Sequence, residues 1–225
     1  MDPSRIPDVL RALERVWEGQ PDLPLAAIWG ELANRGVGWA TSDAELLDHL
    51  EALHAMAPSL LDAAHPTLAL VRTESPAYWL TIDTKAHTVV VRDPAGRVAP
   101  GRWTFAPTDS VRLNWPCTLT DTNGTPHRLG IAVAIDILDG PVRSDLTGLR
   151  PGEGLYGVEL ADGAGMVVLS RPARAYLRGR RTTDVEKLAW TRVLRGVVGE
   201  PLALEDPYSA TVTLPEISAV FPISV

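Results

Sequence analysis

The sequence has few of the features that mark secreted, disulfide-rich or membrane proteins. Among its 225 residues Cys117 is the single cysteine, which excludes an intramolecular disulfide framework and a four-cysteine zinc ribbon. No apolar run approaches the ~20 residues that a membrane-spanning helix needs. The N-terminus, Met1 to Ser4, has no positive region followed by an apolar one, as a secretory signal would. We therefore expect a cytoplasmic, globular protein that makes no membrane contact.

Sequence motifs for a cofactor or a metal are also missing. The chain has no Gly-x-Ser-x-Gly nucleophile elbow and no phosphate-binding loop ending in Gly-Lys-Ser or Gly-Lys-Thr. Its glycine pairs, Gly152-Glu153-Gly154 and Gly163-Ala164-Gly165, lie outside a strand-to-helix junction and indicate turns. His49 and His54 are five residues apart and lie on different faces of a helix, which does not suit shared metal ligation. We expect neither a metal nor a cofactor.

Cys117 and His127 are the pair that could support nucleophilic catalysis. They belong to a predicted hairpin with Asp121 between them, so their side chains could approach across the strands. A lone cysteine in an apolar strand, however, is more typical of a small buried hydrophobic residue. The sequence therefore argues against an enzyme. A hydrolase with a dispersed active site stays an alternative, because catalytic residues need not be adjacent in sequence.

The first sixty residues predict three helices. Apolar residues recur at helical spacing from about Pro7 to Glu18. A second helix opens at Asp22-Leu23-Pro24 and ends at Asn34-Arg35-Gly36, a favourable left-handed cap. Ser42-Asp43-Ala44-Glu45 is a capping box that starts a third helix reaching Met56.

After residue 65 the apolar period changes from that of a helix to that of a strand. A second capping box, Thr183-Asp184-Val185-Glu186, predicts one helix near 184–198. We therefore expect an α+β fold, with an acidic three-helix module at 1–65 and a mainly antiparallel β-rich domain at 66–225. Three helices followed by a strand pair also have the order of a winged helix, with the third helix in the recognition position.

The formal net charge of −7 combines two segments of opposite sign. Residues 1–64 carry four arginines and eleven acids, whereas 171–195 carries eight bases and two acids. Because local charge steers partners, the second segment could bind nucleic acid or an acidic protein face. Tyr176 and Trp190 are interleaved with its cations, a combination that suits base stacking. The candidate binding residues are Arg171, Arg174, Arg178, Arg180, Arg181, Lys187, Arg192 and Arg195.

The helical module offers a second candidate interface. Trp39 lies in a loop, where an exposed tryptophan could anchor a partner. Trp17 and Trp29 lie on apolar stripes and are expected in the core. The third helix has no lysine or arginine, so it would meet a phosphate backbone with the wrong sign. The candidate protein-interface residues are Trp39, Glu45, Asp48 and Glu51.

Residues 17–25, Trp-Glu-Gly-Gln-Pro-Asp-Leu-Pro-Leu, are followed by an acidic, leucine-rich helix start at Asp43 to Leu47. This combination resembles a pattern in small bacterial helical proteins, in which Trp-x-x-x-Pro-Asp-Leu-x-Leu precedes an Asp-x-x-Leu-Leu helix. The resemblance is confined to residues 17–47. It implies a recurring helical unit and carries no activity, cofactor or site residue with it.

The missing catalytic motifs and the segregated charge favour a non-catalytic adaptor or assembly subunit. Such a protein acts by protein–protein docking, with other proteins or further copies of itself as partners. Nucleic-acid binding through 171–195 is the first alternative, and the hydrolase is the second. The basic segment could also pair with the acidic helices of the same chain or of a neighbouring copy.

Overall fold

The computed structural model describes residues 5–65, 67–140, 142–179 and 183–224. Within these residues it contains the three predicted α-helices: α1 (Arg5–Gly19), α2 (Leu25–Asn34) and α3 (Asp43–Met56). Each helix in the described ranges is too short or too polar to cross a lipid bilayer.

The predicted capping box starts α3. The Ser42 hydroxyl accepts a hydrogen bond from the Glu45 main-chain N–H at 3.3 Å, and the Glu45 carboxylate accepts one from the Ser42 N–H at 2.8 Å. These bonds satisfy two amides that a helix start leaves without intrahelical partners. The bond from the Ser42 N–H also holds the pKa of the Glu45 carboxyl below its usual value.

Antiparallel strands make up most of the rest, so the fold is α+β, as predicted. In chain order the strands of the described residues are β1 (Leu60–Leu61), β2 (Leu68–Glu74), β3 (Tyr78–Asp83), β4 (Thr88–Arg92), β5 (Gly101–Thr104), β6 (Val111–Arg112), β7 (Pro116–Thr120), β8 (Pro126–Ile137), β9 (Leu155–Leu160), β10 (Gly165–Val168), β11 (Ala173–Arg178), β12 (Thr183–Leu188), β13 (Arg192–Arg195), β14 (Pro201–Glu205) and β15 (Thr211–Ser224). A short 3-10 helix, Ala161–Gly163, joins β9 to β10.

The chain divides into two compact units. Unit I comprises Met1–Ala95 and Gly101–Ile137, and unit II comprises Gly96–Pro100 and Leu138–Val225. The three helices therefore share a unit with strands β1 to β8. The predicted boundary between residues 65 and 66 does not coincide with the boundary between these units. That residues 1–65 and 66–225 are separate domains stays a prediction.

The helices of unit I bury one narrow stripe each in a common core. The fully buried residues are Ala12 and Val16 of α1, Ile28 and Leu32 of α2, and Leu50 and Leu53 of α3. Their spacing of three or four residues is that of a single helix face. The core is small, and much of the apolar surface of α1 remains outside it.

A six-stranded antiparallel sheet of unit I, in the order β5-β4-β3-β2-β8-β7, curls until its edges meet. Phe105 and Asp121, which follow β5 and β7, form an isolated bridge. The Ala106 N–H donates to the Thr120 carbonyl at 2.8 Å. The curled sheet surrounds an apolar cluster that includes Cys117, and the meeting of its edges leaves fewer unpaired main-chain groups.

Strands β2 and β3 form the pair that was predicted to follow the helices, with Val71 opposite Leu80. Both are inner strands of the six-stranded sheet, because β2 also pairs with β8 and β3 also pairs with β4. A strand pair enclosed on both sides is not a free wing. The winged-helix arrangement is therefore not confirmed.

Unit II contains a seven-stranded antiparallel sheet in the order β12-β11-β10-β9-β15-β14-β13. Its buried cluster combines strand residues with Leu146 and Leu149 from the preceding loop. Trp190, in the link between the two edge strands, is buried and donates its indole N–H to the Ser170 carbonyl at 2.7 Å. This bond satisfies the polar atom of an otherwise apolar side chain.

The helix predicted near 184–198 is wrong, because the chain forms β12 and β13 there. β12 pairs with β11 along its whole length, with Val185 opposite Tyr176. This pairing satisfies main-chain groups of β11 that a helix would leave open. The β-branched Thr183 and Val185 also suit a strand. A four-residue capping signal is a weak local preference beside a complete ladder of strand hydrogen bonds.

Replacing Ser42 by alanine should lower the free energy of unfolding by about 1 kcal/mol, because α3 loses the side-chain acceptor at its start. Urea unfolding followed by far-UV circular dichroism measures the change. Ser110→Ala is the matched control, since Ser110 is exposed and lies outside any helix start. An equal loss in both variants would contradict the role of the capping box.

Candidate functional site

The four predicted interface residues of the helical module lie in different settings. Trp39 is fully exposed. Asp48 is exposed on α3, whereas Glu45 belongs to the capping box and Glu51 forms an ion pair with Arg15 of α1. Two of the three carboxylates therefore have partners within the module. An interface role for these residues stays a prediction.

Trp17 and Trp29 lie outside the core, contrary to the prediction. They expose 43% and 42% of their surface. Ala12 and Val16 occupy the stripe of α1 that faces the core. Successive side chains of an α-helix point in directions about 100° apart. Trp17 therefore lies beside the core, where its indole N–H donates to the Leu23 carbonyl at 2.9 Å.

Trp17 belongs to an exposed apolar groove along α1, which we call the α1 groove. Its volume is about 860 Å³. The apolar residues of the α1 groove are Pro7, Leu10, Leu13, Trp17, Pro21 and Leu25, and its charged residues are Arg11, Glu14 and Glu18. The signal that sequence reasoning missed is the excess of apolar residues on α1, which form a second stripe beside the one that the core can bury.

The predicted basic residues lie on strands and turns instead of a helix. Arg174 and Arg178 lie on one face of β11, and Lys187 lies opposite Arg174 on β12. Val185, which is 46% exposed, shares this face. We call these four residues the basic strand face. Arg171 is exposed in the turn before β11.

Several of the remaining basic residues are held by partners. Arg192 lies 3.2 Å from the Glu205 carboxylate, and Arg195 lies 3.4 Å from that of Glu200. Arg180 and Arg181 lie outside the described residues. The positive charge of this segment is therefore partly neutralised within unit II.

The aromatic residues of the basic segment are too deeply buried to stack on nucleic-acid bases. Tyr176 is 3% exposed and Trp190 is 6% exposed. The Tyr176 hydroxyl and the Arg174 guanidinium both donate to the Gly96 carbonyl at 3.1 Å. A side chain placed on Gly96 would collide with the Arg174 guanidinium. These residues hold the Gly96–Pro100 segment against the sheet.

Cys117 is a buried core residue and does not form a catalytic pair with His127. Burial, and next the negative charge of Asp109, raise the pKa of the Cys117 thiol to about 12. Leu119, not Cys117, lies opposite His127 in the strand register. The His127 ring instead lies 3.0 Å from the Asp121 carboxylate, and this hydrogen bond is the main reason why the pKa of Asp121 is lowered. The thiol is therefore protonated and inert at neutral pH.

A second concave site, which sequence reasoning also missed, lies between α1 and α3. This α1–α3 cavity has a volume of about 510 Å³. Its lining residues are Arg15, Glu18, Glu51, His54, Ala55, Pro58, Ser59, Leu60, Leu61, His65, Thr67, Arg112 and Ile137. They come from nine separate stretches of unit I, so no local spacing in the sequence could have indicated them.

His54 is the most perturbed ionisable group of the α1–α3 cavity. Burial is the first cause of its lowered pKa, and the positive charge of Arg15 is the second. The negative charge of Glu51 and the nearby Arg15 main chain oppose this shift in part. The imidazole is therefore neutral at neutral pH.

Comparisons with protein families, with curated proteins and with solved structures find no match to this chain. The resemblance of residues 17–47 to small bacterial helical proteins stays a prediction. Any function must therefore be inferred from the chain's own residues.

The Cys117 thiol should not react with Ellman's reagent in the folded chain at mildly alkaline pH, because the thiolate is the reactive form and burial disfavours it. In urea the thiol should react fully, since unfolding restores its usual pKa and its access to solvent. Absorbance of the released thiolate measures both reactions. Fast reaction without urea would contradict the buried, protonated state.

Replacing His54 by glutamine should reduce the loss of stability in acid. The folded chain holds the pKa of His54 below 6.5, so the unfolded chain binds the proton more readily and stability falls as the pH drops below about 6.5. Urea unfolding between about pH 7 and about pH 5 should therefore show a smaller decrease for His54→Gln than for the wild type.

The matched control is His49→Gln, because His49 also lies on α3 but does not line the α1–α3 cavity. This variant should keep the wild-type decrease in stability. An identical decrease in all three proteins would contradict the assignment of this acid sensitivity to His54.

Proposed function

We propose that this chain is a non-catalytic assembly subunit of the cytoplasm that docks to a second copy of itself. The α1 groove of one copy receives the basic strand face of the next. The observation that carries this proposal is the apolar α1 groove, which exposes Leu10 and Trp17 to solvent beside Glu14 and Glu18.

The apolar part of the groove supplies a driving force for docking. Leu10 is 59% exposed and Trp17 is 43% exposed. Contiguous exposed apolar residues rimmed by polar ones are typical of interaction sites. Covering the exposed part of Leu10 alone would contribute about 1 kcal/mol, on the scale of about 1.5–3 kcal/mol for a fully buried leucine.

Charge complementarity favours a second copy as the occupant. Glu14 and Glu18 line the groove, whereas the basic strand face places Val185 beside Arg178 and Lys187. An exposed valine with cations around it suits an apolar groove with carboxylates at its edge. An arginine of the incoming face could also lie over the Trp17 ring in a cation–π contact.

Docking between two different surfaces is heterologous, so an open assembly keeps one free groove at one end and one free basic strand face at the other. Such contacts close into a ring or extend into a filament. A subunit of this kind needs no catalytic residue, which agrees with the protonated thiol of Cys117. An adaptor would use the same groove for a different basic protein.

Nucleic-acid binding is the second candidate function. It is favoured by the common face of Arg174, Arg178 and Lys187, which could contact phosphates. The same hypothesis includes α3 as the recognition helix of a winged-helix module. The acidic residues of α3 and the burial of Tyr176 and Trp190 weigh against it. Docking to a second copy is therefore preferred.

Sedimentation equilibrium at low salt tests the self-docking. Leu10→Ser in the groove and the double change Arg178→Gln with Lys187→Gln in the basic strand face should each weaken self-association by about tenfold or more. Mixing the two variants should restore a one-to-one complex, because each still carries one intact surface. Added salt should weaken all these contacts.

Tyr208→Ser is the matched control, because Tyr208 is 90% exposed and lies in a turn of unit II outside both surfaces. It should associate like the wild type. A wild-type chain that stays monomeric, or an association that neither variant weakens, would overturn the proposal. Binding of single-stranded DNA that the arginine and lysine changes abolish would favour the nucleic-acid hypothesis instead.

A further inference from the structure

The α1–α3 cavity has the size and the lining of a small-molecule site. Its volume of about 510 Å³ lies within the ~300–1,000 Å³ that ligand pockets span. Leu60 and Ile137 contribute accessible apolar surface, and charged side chains from α1, α3 and β6 converge on the same space. Apolar walls with a few convergent polar groups are the usual composition of a binding pocket.

The charged side chains of the cavity balance one another. Arg15 and Glu51 form one ion pair, between α1 and α3. Arg112 is held more loosely, with its guanidinium 3.9 Å from the Glu18 carboxylate. A ligand that carried a single net charge would disturb this balance, whereas a ligand with one charge of each sign would preserve it.

Arg112 and Glu18 have hydrogen-bonding capacity left. A guanidinium offers five N–H donors in a fixed fork, and a carboxylate offers two acceptor oxygens. The Ser59 hydroxyl donates to Glu18 over a long 3.4 Å. Arg112 also lies over the Trp115 ring at 5.9 Å, a contact that uses none of its N–H groups. Both side chains can therefore bind a ligand without losing a strong internal bond.

His54 adds a neutral polar atom. Its Nδ1 is buried and has no hydrogen-bond partner in the part of the chain that the structure describes. A neutral imidazole has one N–H and one acceptor nitrogen. In the tautomer that carries the proton on Nε2, the buried Nδ1 is an acceptor. A buried acceptor of this kind favours a ligand that donates a hydrogen bond.

We propose that the α1–α3 cavity binds a small aliphatic zwitterion of the α-amino acid class. The ligand carboxylate pairs with Arg112, which matches its two oxygens with parallel N–H donors. The ligand ammonium donates to Glu18 and to His54 Nδ1. The alkyl side chain packs against Leu60 and Ile137. This site is independent of the docking surfaces proposed above, except that Glu18 lines both concave sites.

Three probes with the same carbon skeleton test the two charges separately. L-leucine has both groups, leucinol lacks the carboxylate, and 4-methylpentanoate lacks the ammonium. Isothermal titration calorimetry on the full chain should give L-leucine a Kd of about 1 mM or tighter, with the other two at least about tenfold weaker. The ¹⁵N resonances of His54 should shift with L-leucine, which locates the binding.

Arg112→Gln should weaken L-leucine binding by at least about tenfold, since glutamine keeps polarity but lacks the charged fork. Arg128→Gln is the matched control, because Arg128 is exposed on β8 and does not line the cavity. Far-UV circular dichroism confirms that both variants are folded. His54→Leu, which leaves no side-chain acceptor at this position, should weaken binding as well.

The proposal is overturned if L-leucine gives neither heat nor a His54 shift, or if its binding survives Arg112→Gln unchanged. Equal affinity for leucinol would identify an amine site, and equal affinity for 4-methylpentanoate a carboxylate site; either result would also overturn it. Self-association is measured separately, so a failure here leaves the docking proposal unaffected.

Discussion

Helix α1 contributes to three parts of unit I: the helical core, the α1 groove and the ion pairs of the α1–α3 cavity. The arrangement of unit I depends on which face of α1 serves each of them. One face, with Ala12 and Val16, fills the helical core. A second exposes Leu10 and Trp17 in the α1 groove. A third carries Arg15 towards Glu51 of α3 and Glu18 towards Arg112 of β6. Because a helix face covers only about 100° of its circumference, α1 cannot bury all its apolar residues in one core. The groove and the cavity are both consequences of this limit.

The charge segregation seen along the chain is reduced once the side chains find local partners. Arg15 pairs with Glu51 within the acidic module, and Arg192 pairs with Glu205 within the basic segment. Exposed pairs of this kind contribute little stability, but they lower the charge that a partner meets. The charge that stays available for long-range attraction lies on two smaller surfaces, the edge of the α1 groove and the basic strand face. A docking proposal based on these surfaces is therefore more specific than one based on net charge.

Two capping boxes of similar sequence form different structures, one a helix start and the other a strand. Local sequence alone therefore does not decide the secondary structure at such a site. Ser42-Asp43-Ala44-Glu45 starts α3, because the following leucines form a face that the helical core buries. Thr183-Asp184-Val185-Glu186 lies in β12, because β11 offers it a complete set of hydrogen-bond partners. Sequence reasoning found the three helices and the antiparallel strands. It missed the α1–α3 cavity, since residues as distant as Arg15 and Ile137 meet there only after folding.

The sequence by itself determined the elements whose signals are local: helix periodicity and caps in the first sixty residues, strand alternation beyond them, and the lack of a cysteine-based framework. Tertiary structure alone decided whether Trp17 was buried, whether Cys117 had a reactive partner, and which charges stayed available. The physical reason is that burial, pKa and ion pairing depend on neighbours that are remote in the chain. His54 illustrates this: nothing in its flanking residues indicates a buried, unpartnered nitrogen, and the packing of α3 against α1 produces it.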